Sequence, residues 1–347
     1  MEFKKYTIKD IAKKAGVAKS TVSRVLNSSG YVSPETKEKI LKIIDECGYV
    51  PSAPARSLSK QESNAIGVIL PQVYSAFFGE VLTGMLSAAD EIDIPLIICN
   101  TEGDRDKEIR AIQTLVEQCV KGLILAIAND YPTNEDIVRL RALLYSLHFP
   151  VVLLDRKMAT APLGNFDGVY YDNFKGAYLA TEAMIKAGSK KLGIITGPST
   201  LSLHVERFNG FMKALEDYNI PVEERYIFKG NSEMMAAYQL TKRFIRQNNI
   251  PDGIFTMNNR SSLGCIKALW EEKLMIGEDI CIVGFDRVRE LEFFDIPFSY
   301  VDHDPVDMGR RAIHLLNERI KNPSNPKREE LIEAKLVLKG SELSYIR

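Results

Sequence analysis

The sequence predicts an α/β protein whose body is two similar halves, each a parallel sheet covered by helices, with a small helical head in front. Three observations lead there. From Ala65 onward short apolar runs alternate with amphipathic stretches, the pattern of parallel strands and their crossover helices. Eight such runs are more than one compact α/β domain of ordinary size uses, and IGVILP (Ile66 to Pro71) and LGIITGP (Leu192 to Pro198) open comparable stretches about one four-strand unit apart. Residues 1–60 differ in charge. Twelve Lys and Arg against six acids make this segment +6, while the remainder holds 33 bases and 40 acids, or -7, inside a chain of 347 residues with a net charge of -1.

That asymmetry suits a head that neutralises phosphates on an acidic body, although a solvated basic face gives the same arithmetic. With 45% hydrophobic residues the chain is too apolar for disorder. It has no 18-residue apolar run and no apolar stretch of signal-peptide type after MEFKKYTIKD, so it reads as a soluble, cytoplasmic protein. The five cysteines, Cys47, Cys99, Cys119, Cys265 and Cys281, are odd in number and scattered, and His148, His204, His303 and His314 show no paired spacing. Reduced cysteines and no metal are expected, and no cofactor. G-x-G-x-x-G, G-x-x-x-x-G-K-[ST] and G-x-S-x-G are absent, which removes the commonest enzyme classes visible in sequence.

The head reads as three helices. Thr7 with Asp10 resembles a capping box, and Ile8, Ile11, Ala12 and Ala15 give the first helix its packing face. Gly16 permits a tight turn. Val17 to Leu26 forms a second helix that packs through Val17, Val22, Val25 and Leu26 and presents Lys19, Ser20, Ser23, Arg24 and Asn27. Ser33 as N-cap and Pro34 in the first turn start a third helix that stops at Gly48. Two helices around a glycine turn, the second polar and cationic, match the geometry that sets a recognition helix in a major groove.

The body's runs follow in order: Ala65 to Leu70, Leu96 to Cys99, Gly122 to Ala126, Val151 to Leu154, Leu192 to Thr196, Tyr226 to Phe228, Gly253 to Thr256 and Ile280 to Phe285. In open parallel sheets ligands bind beyond the carboxyl ends of the strands. Candidates are therefore Phe77 and Phe78 after the first run, Asn100 and Thr101 after the second, Asp155 and Arg156 after the fourth, Asn258 and Asn259 after the seventh, Asp286 and Arg287 after the eighth, and Arg207 on the helix after the fifth. Singly, each has a plainer explanation: the rings as core, the Asp and Asn residues as helix caps. Together, acids, amides, Arg and aromatic rings suit a polyhydroxylated ligand.

The run Tyr6 to Asn27 (YTIKDIAKKAGVAKSTVSRVLN) closely resembles the N-terminal signature of the LacI/GalR family of bacterial transcriptional regulators. The resemblance continues through PQVYSAFFGEVLTG (Pro71 to Gly84), VVLLDR (Val151 to Arg156), Tyr171-Asp172-Asn173, Gly197-Pro198 with Arg207 and Gly210-Phe211, Pro251 to Phe255, Val283 to Asp286, and Met308-Gly309. It implies a helix-turn-helix domain over 1–50 and a hinge helix and linker over 51–62. An effector-binding and dimerisation domain of the type I periplasmic-binding-protein kind follows over 63–347, its N-subdomain at 63–160 and 291–322 and its C-subdomain at 161–290 and 323–340.

It further implies that Lys19, Ser20 and Arg24 read bases, with Arg24 suited to guanine, and that Thr7, Ser23 and Asn27 contact phosphates, with Thr21 also at the DNA. In the hinge, Leu58 is the minor-groove wedge by position and Ala55 joins it; Pro54 falls in the first helical turn after Ser52. Ala18 stands where the family commonly has Ser. In the effector pocket the resemblance supports Phe78, Asp155, Arg207, Asn258 and Asp286, and Phe77, Arg156, Arg287 and His303 stand beside them as candidate effector-binding residues. Departures are Ser232 for an aromatic ring, Asn259 and Arg287 for Asp, and His303 for Gln. Arg156, Arg207 and Arg287 together favour an anionic effector, a sugar phosphate or sugar acid.

The expectation is a repressor, not an enzyme, binding a two-fold operator as a homodimer and controlled by a small sugar-like molecule, with no membrane partner. A corepressor protein is the alternative. Asp155, Asp172 and Asp286 follow no spacing that pairs carboxylates for sugar hydrolysis, and a solute-binding protein leaves the helix-turn-helix unexplained. The segment GSELSYIR at the C-terminus lacks the leucine heptads that join dimers into tetramers.

Overall fold

The computed structural model describes residues 6–26, 29–49, 63–128, 131, 133–159 and 161–343. Two compact units result, residues 1–63 and 64–347.

In the head, α1 (Ile8–Ala15), α2 (Lys19–Leu26) and α3 (Pro34–Glu46) enclose a core of Ile11, Ala15, Val22, Val25 and Ile40. The capping box is present: the Thr7 hydroxyl accepts from the Asp10 N–H, and the Thr7 N–H donates to the Asp10 carboxylate at 2.8 Å. Gly16, at φ 69°, ends α1 in the left-handed conformation that a side chain disfavours. Ser33 caps α3, with Pro34 in its first turn.

The body contains β1 (Ile66–Leu70), α4 (Ala76–Glu91), β2 (Leu96–Asn100), α5 (Arg105–Glu117), β3 (Gly122–Leu125), α6 (Asn134–Tyr145), β4 (Val151–Leu154) and β5 (Asp167–Tyr171). Next come α7 (Asn173–Lys186), β6 (Leu192–Thr196), α8 (Ser202–Asp217), β7 (Ile227–Lys229), α9 (Met234–Arg246), β8 (Gly253–Thr256), α10 (Asn259–Glu271), β9 (Cys281–Phe285), α11 (Arg289–Phe293) and β10 (Ser299–Asp302). Then α12 (Pro305–Lys321), β11 (Glu329–Ile332) and β12 (Lys335–Val337) complete it.

Two six-stranded sheets define two lobes. The first runs β11-β5-β4-β3-β1-β2, all parallel; the second runs β12-β10-β9-β8-β6-β7, parallel except for antiparallel β12. Alternate residues of each strand face opposite helical layers, as period two requires. Leu123 and Leu125 pack with α5 and α6, whereas Ile124 packs with α4 and α12. In the second lobe α9 and α10 cover one face and α7 and α8 the other. Helix pairs approach at glycine: a Cβ on Gly84 would lie 2.0 Å from the Val306 carbonyl oxygen, and one on Gly309 2.0 Å from that of Val81.

The sheets correct the expected subdomain limits. The chain crosses between lobes at 171–173, 302–305 and 332–335, each crossing about ten residues later than expected. β5 and β11, expected in the C-subdomain, are strands of the first sheet, and β10, expected in the N-subdomain, belongs to the second. Each sheet therefore has six strands where four apolar runs were legible. The extra strands carry acids, Ser or Lys at their ends (Asp167, Ser299, Asp302, Glu329, Glu330, Lys335), which hides them from an apolar pattern. Among the described residues no helix is long and apolar enough to cross a membrane, and no group of three or more acids, His or Cys could hold a metal ion.

Candidate functional site

On the head, Lys19, Ser20 and Arg24 stand exposed on α2, Thr21 and Ser23 are half-buried, and Val22 and Val25 face inward. The exposed side of α2 thus carries Lys19, Ser20 and Arg24. Thr7 is exposed, but its hydroxyl donates to Asp10 at 2.7 Å, so its side chain already serves the cap. Asn27, Ala55 and Leu58 lie outside the described residues, as do Ser52 and Pro54.

In the body, a cavity of about 100 Å³ lies between the lobes. Its lining includes Phe77, Phe78, Asp155, Arg156, Arg207, Asn258, Asp286 and His303, all singled out from sequence, and Asn259 and Ser232 beside them. Asn100 and Thr101 are not in it; Thr101 is fully buried, and Asn100 accepts the Val73 N–H at 3.2 Å. Arg287 is not in it either. Its side chain is 47% exposed and pairs with Glu292, and it lines a neighbouring cavity of about 600 Å³. The expected third cation of the effector site is therefore committed elsewhere.

The strand ends deliver Asp155 and Asp286 with φ of 62° and 74°, turning both carboxylates off their strands into the cavity. Asp155 is almost completely buried, and burial raises its pKa against the opposing pull of Arg156, Arg207 and His303. Arg156 Nε lies 3.3 Å from Asp155, its Nη1 donates to the Ile127 carbonyl at 3.2 Å, and its guanidinium sits 5.3 Å from the Phe78 ring centre. Burial lowers the Arg156 pKa, offset chiefly by Asp155.

Arg207, 4% exposed, stacks 3.5 Å over the Phe285 ring; it donates through Nε to Asn173 Oδ1 at 2.9 Å and through Nη1 to the Met257 carbonyl. Burial opposes the charge on Asp286, but His303, Arg207 and the Asn259 N–H hold its pKa below the ordinary carboxylate value. His303 Nε2 is 3.0 Å from Asp286 Oδ1, close but not aligned as a hydrogen bond. Its ring is packed by Tyr171, Phe285 and Phe77 at centroid distances of 3.9, 5.3 and 5.6 Å.

Asn258 fits the plainer reading as well: its Oδ1 caps α10 by accepting the Ser261 N–H at 2.8 Å, and its Nδ2 donates to the Ser232 carbonyl at 3.2 Å. Sequence reasoning missed Gln72, Ser75, Leu203, His204, Asn231, Glu233 and Arg260, which also line the cavity. His204 had a legible signal, lying one helical turn before Arg207 on α8. Its imidazole is buried, which pushes its pKa well below 6.5 and keeps it neutral, and its Nε2 is 3.3 Å from Ser232 Oγ.

A three-helix head with a cationic second helix, joined in one chain to a two-lobed body with a polar cavity at its strand ends, is the architecture of a ligand-responsive DNA-binding protein. Residues 7–52 match the family described as "Bacterial regulatory proteins, lacI family", and residues 63–339 match "Periplasmic binding proteins and sugar binding domain of LacI family". The chain belongs to the LacI family. It is 30% identical over 337 residues to the HTH-type transcriptional repressor PurR of Actinobacillus pleuropneumoniae, covering 96% of this chain and 98% of that protein. It is 32% identical over 335 residues to the ribose operon repressor of Haemophilus influenzae, with coverage of 96% and 98%. Among solved structures, the lac repressor dimer bound to operator and the anti-inducer ONPF superposes with a TM-score of 0.84 at 23% identity, over 98% of this chain and all of that one, a likeness of fold.

Proposed function

We propose that this protein is a transcriptional repressor that binds a two-fold DNA operator as a homodimer through Lys19, Ser20 and Arg24, and that a neutral sugar in the cavity between the lobes controls that binding. Two-fold operators need two heads. The repressors PurR and the ribose operon repressor, similar over nearly the whole chain, support the regulatory reading. The observation that carries the ligand class is the pairing of charges around the cavity. Asp155 lies against Arg156, Asp286 lies against His303 and in the field of Arg207, and Arg260 pairs with Glu233, so the acids and Arg side chains lining the cavity are matched in number. With Arg287 turned to Glu292, the grounds for an anionic effector weaken. Balanced acids, amides and Arg donors beside the Phe77 ring suit hydroxyl groups with one apolar face.

Calorimetry on the full-length protein with D-ribose, D-glucose, ribose 5-phosphate and gluconate tests the ligand class. Neutral sugars should bind at least ten times more tightly than the anions; the opposite order sinks the reading. Operator selection on the same protein should return a two-fold site whose occupancy changes with the bound sugar.

A further inference from the structure

The lining of the cavity grades from buried to open. Asp155, Arg207 and His303 are buried, Gln72, Ser75 and Arg260 are half-buried, and Asn231 and Glu233 are exposed. The last five mark the mouth. There Arg260, the second residue of α10 in the second lobe, donates through Nη1 to Gln72 Oε1 at 3.3 Å and through Nη2 to the Glu233 carboxylate. Gln72 follows β1 in the first lobe, and its carbonyl accepts both the N–H and the hydroxyl of Ser75, the N-cap of α4, at 3.0 Å. Glu233 is the N-cap residue of α9, in the same lobe as Arg260.

We propose that Arg260 closes the mouth of the cavity, spanning Glu233 of its own lobe and Gln72 of the other, and so sets how long a bound ligand is retained. The inference rests on the reading of the cavity as a ligand site. The two partners have different tasks. The Glu233 contact stays within one lobe and aims the guanidinium, whose planar fork lets one side chain hold two partners at once. The Gln72 contact crosses the cleft, so any rotation that opens the lobes breaks it. Because the Arg260 and Glu233 side chains are 34% and 51% exposed, their ion pair adds little to the stability of the fold, and its loss leaves the lobes intact. Other links keep the lobes associated when Arg260 is removed. Ala159 N–H donates to the Thr200 carbonyl, Ser202 N–H to the Lys157 carbonyl, and Arg289 pairs with Glu80 at 2.8 Å. Lys in place of Arg260 keeps the charge but cannot span both partners.

The test uses the full chain with Arg260→Ala, Arg260→Lys, Gln72→Ala and the double variant Arg260→Ala/Gln72→Ala. D-ribose is the probe. Each single variant should raise its dissociation rate by about 3- to 10-fold with little change in association, and the double variant should go no further than either single one. Additive losses, or a loss in Arg260→Ala that Gln72→Ala does not share, overturn the bridge. A second measurement needs no ligand: hydrogen exchange at residues 71–75, in the lobe opposite Arg260, should accelerate in ligand-free Arg260→Ala. If D-ribose gives no heat with the unsubstituted protein, the ligand class falls and the exchange result alone decides the bridge; unchanged exchange then rejects it.

Discussion

Glu108 offers a sharp test of the interior of the first lobe. It is fully buried on α5, where its carboxylate accepts the Ala128 N–H and the Tyr131 hydroxyl, both at 2.5 Å. The charge of Arg156 acts on it; Arg105 and Asp136 act on Tyr131, and Asp155 lies against Arg156. Burial raises its pKa to about 7, with Tyr131, Ala128 and Arg156 pulling the other way. A folded pKa above the unfolded value of 4.5 means that the native state favours the protonated acid. The contribution to stability is therefore complete below about pH 4.5 and is lost as pH rises through about 7. A shift of that size corresponds to roughly 3 kcal/mol, of which about 2.5 kcal/mol falls between pH 5 and 9. Glu108→Gln cannot ionise and should remove this slope.

Urea unfolding of both proteins from pH 5 to 9, followed by circular dichroism, measures it. The single tryptophan, Trp270, is 76% exposed and makes a poor fluorescence reporter. The stability of the variant relative to the parent should rise by about 2.5 kcal/mol across that range. Parallel pH profiles would refute the buried, proton-binding Glu108.

Gly84→Ala should destabilise the body by about 3 kcal/mol, read as a lower urea midpoint, because its Cβ would strike the backbone of Val306 and force α4 from α12. Arg24→Ala should relax base preference at one operator position at a cost of roughly 1 to 3 kcal/mol; unchanged selectivity in a binding selection rejects direct readout. Removing residues 1–63 should leave a body with the thermal transition of the parent's lobes and no DNA affinity, since the head's core of Ile11, Val22 and Ile40 is self-contained. A body that fails to fold without the head contradicts that division.

Local rules carried the head: Thr7 with Asp10, Gly16, and Ser33 with Pro34 are short-range signals, and each occupies in the structure the cap or turn its chemistry suggests. Strands such as Ile66–Leu70 and Cys281–Phe285 were legible because they are buried on both faces and carry no charged residue. β5, β10, β11 and β12 were not: Asp167–Tyr171 is fully buried but opens on Asp167 and Gly168, and Glu329–Ile332 at a sheet edge carries little apolar pattern and takes its place from a partner more than 150 residues away, Asp167–Tyr171. Around the cavity, a rule based on strand ends found Asp155 and Asp286. Arg287 misled because its adjacency to Asp286 in sequence says nothing of direction: successive residues point apart, and Glu292 five residues on captured its charge. Arg260 and Gln72 escaped notice because their significance is a meeting of two lobes, 188 residues apart in the chain.

The third crossing, at 332–335, constrains biosynthesis. β11 and β12 are separated by two residues yet complete different sheets, one at the edge of each lobe. Neither lobe is whole until this last short stretch has been made, whereas the head, with its own core, is complete some 280 residues earlier. A chain interrupted before Glu329 would therefore carry a finished three-helix head on two lobes whose sheets each lack an edge strand.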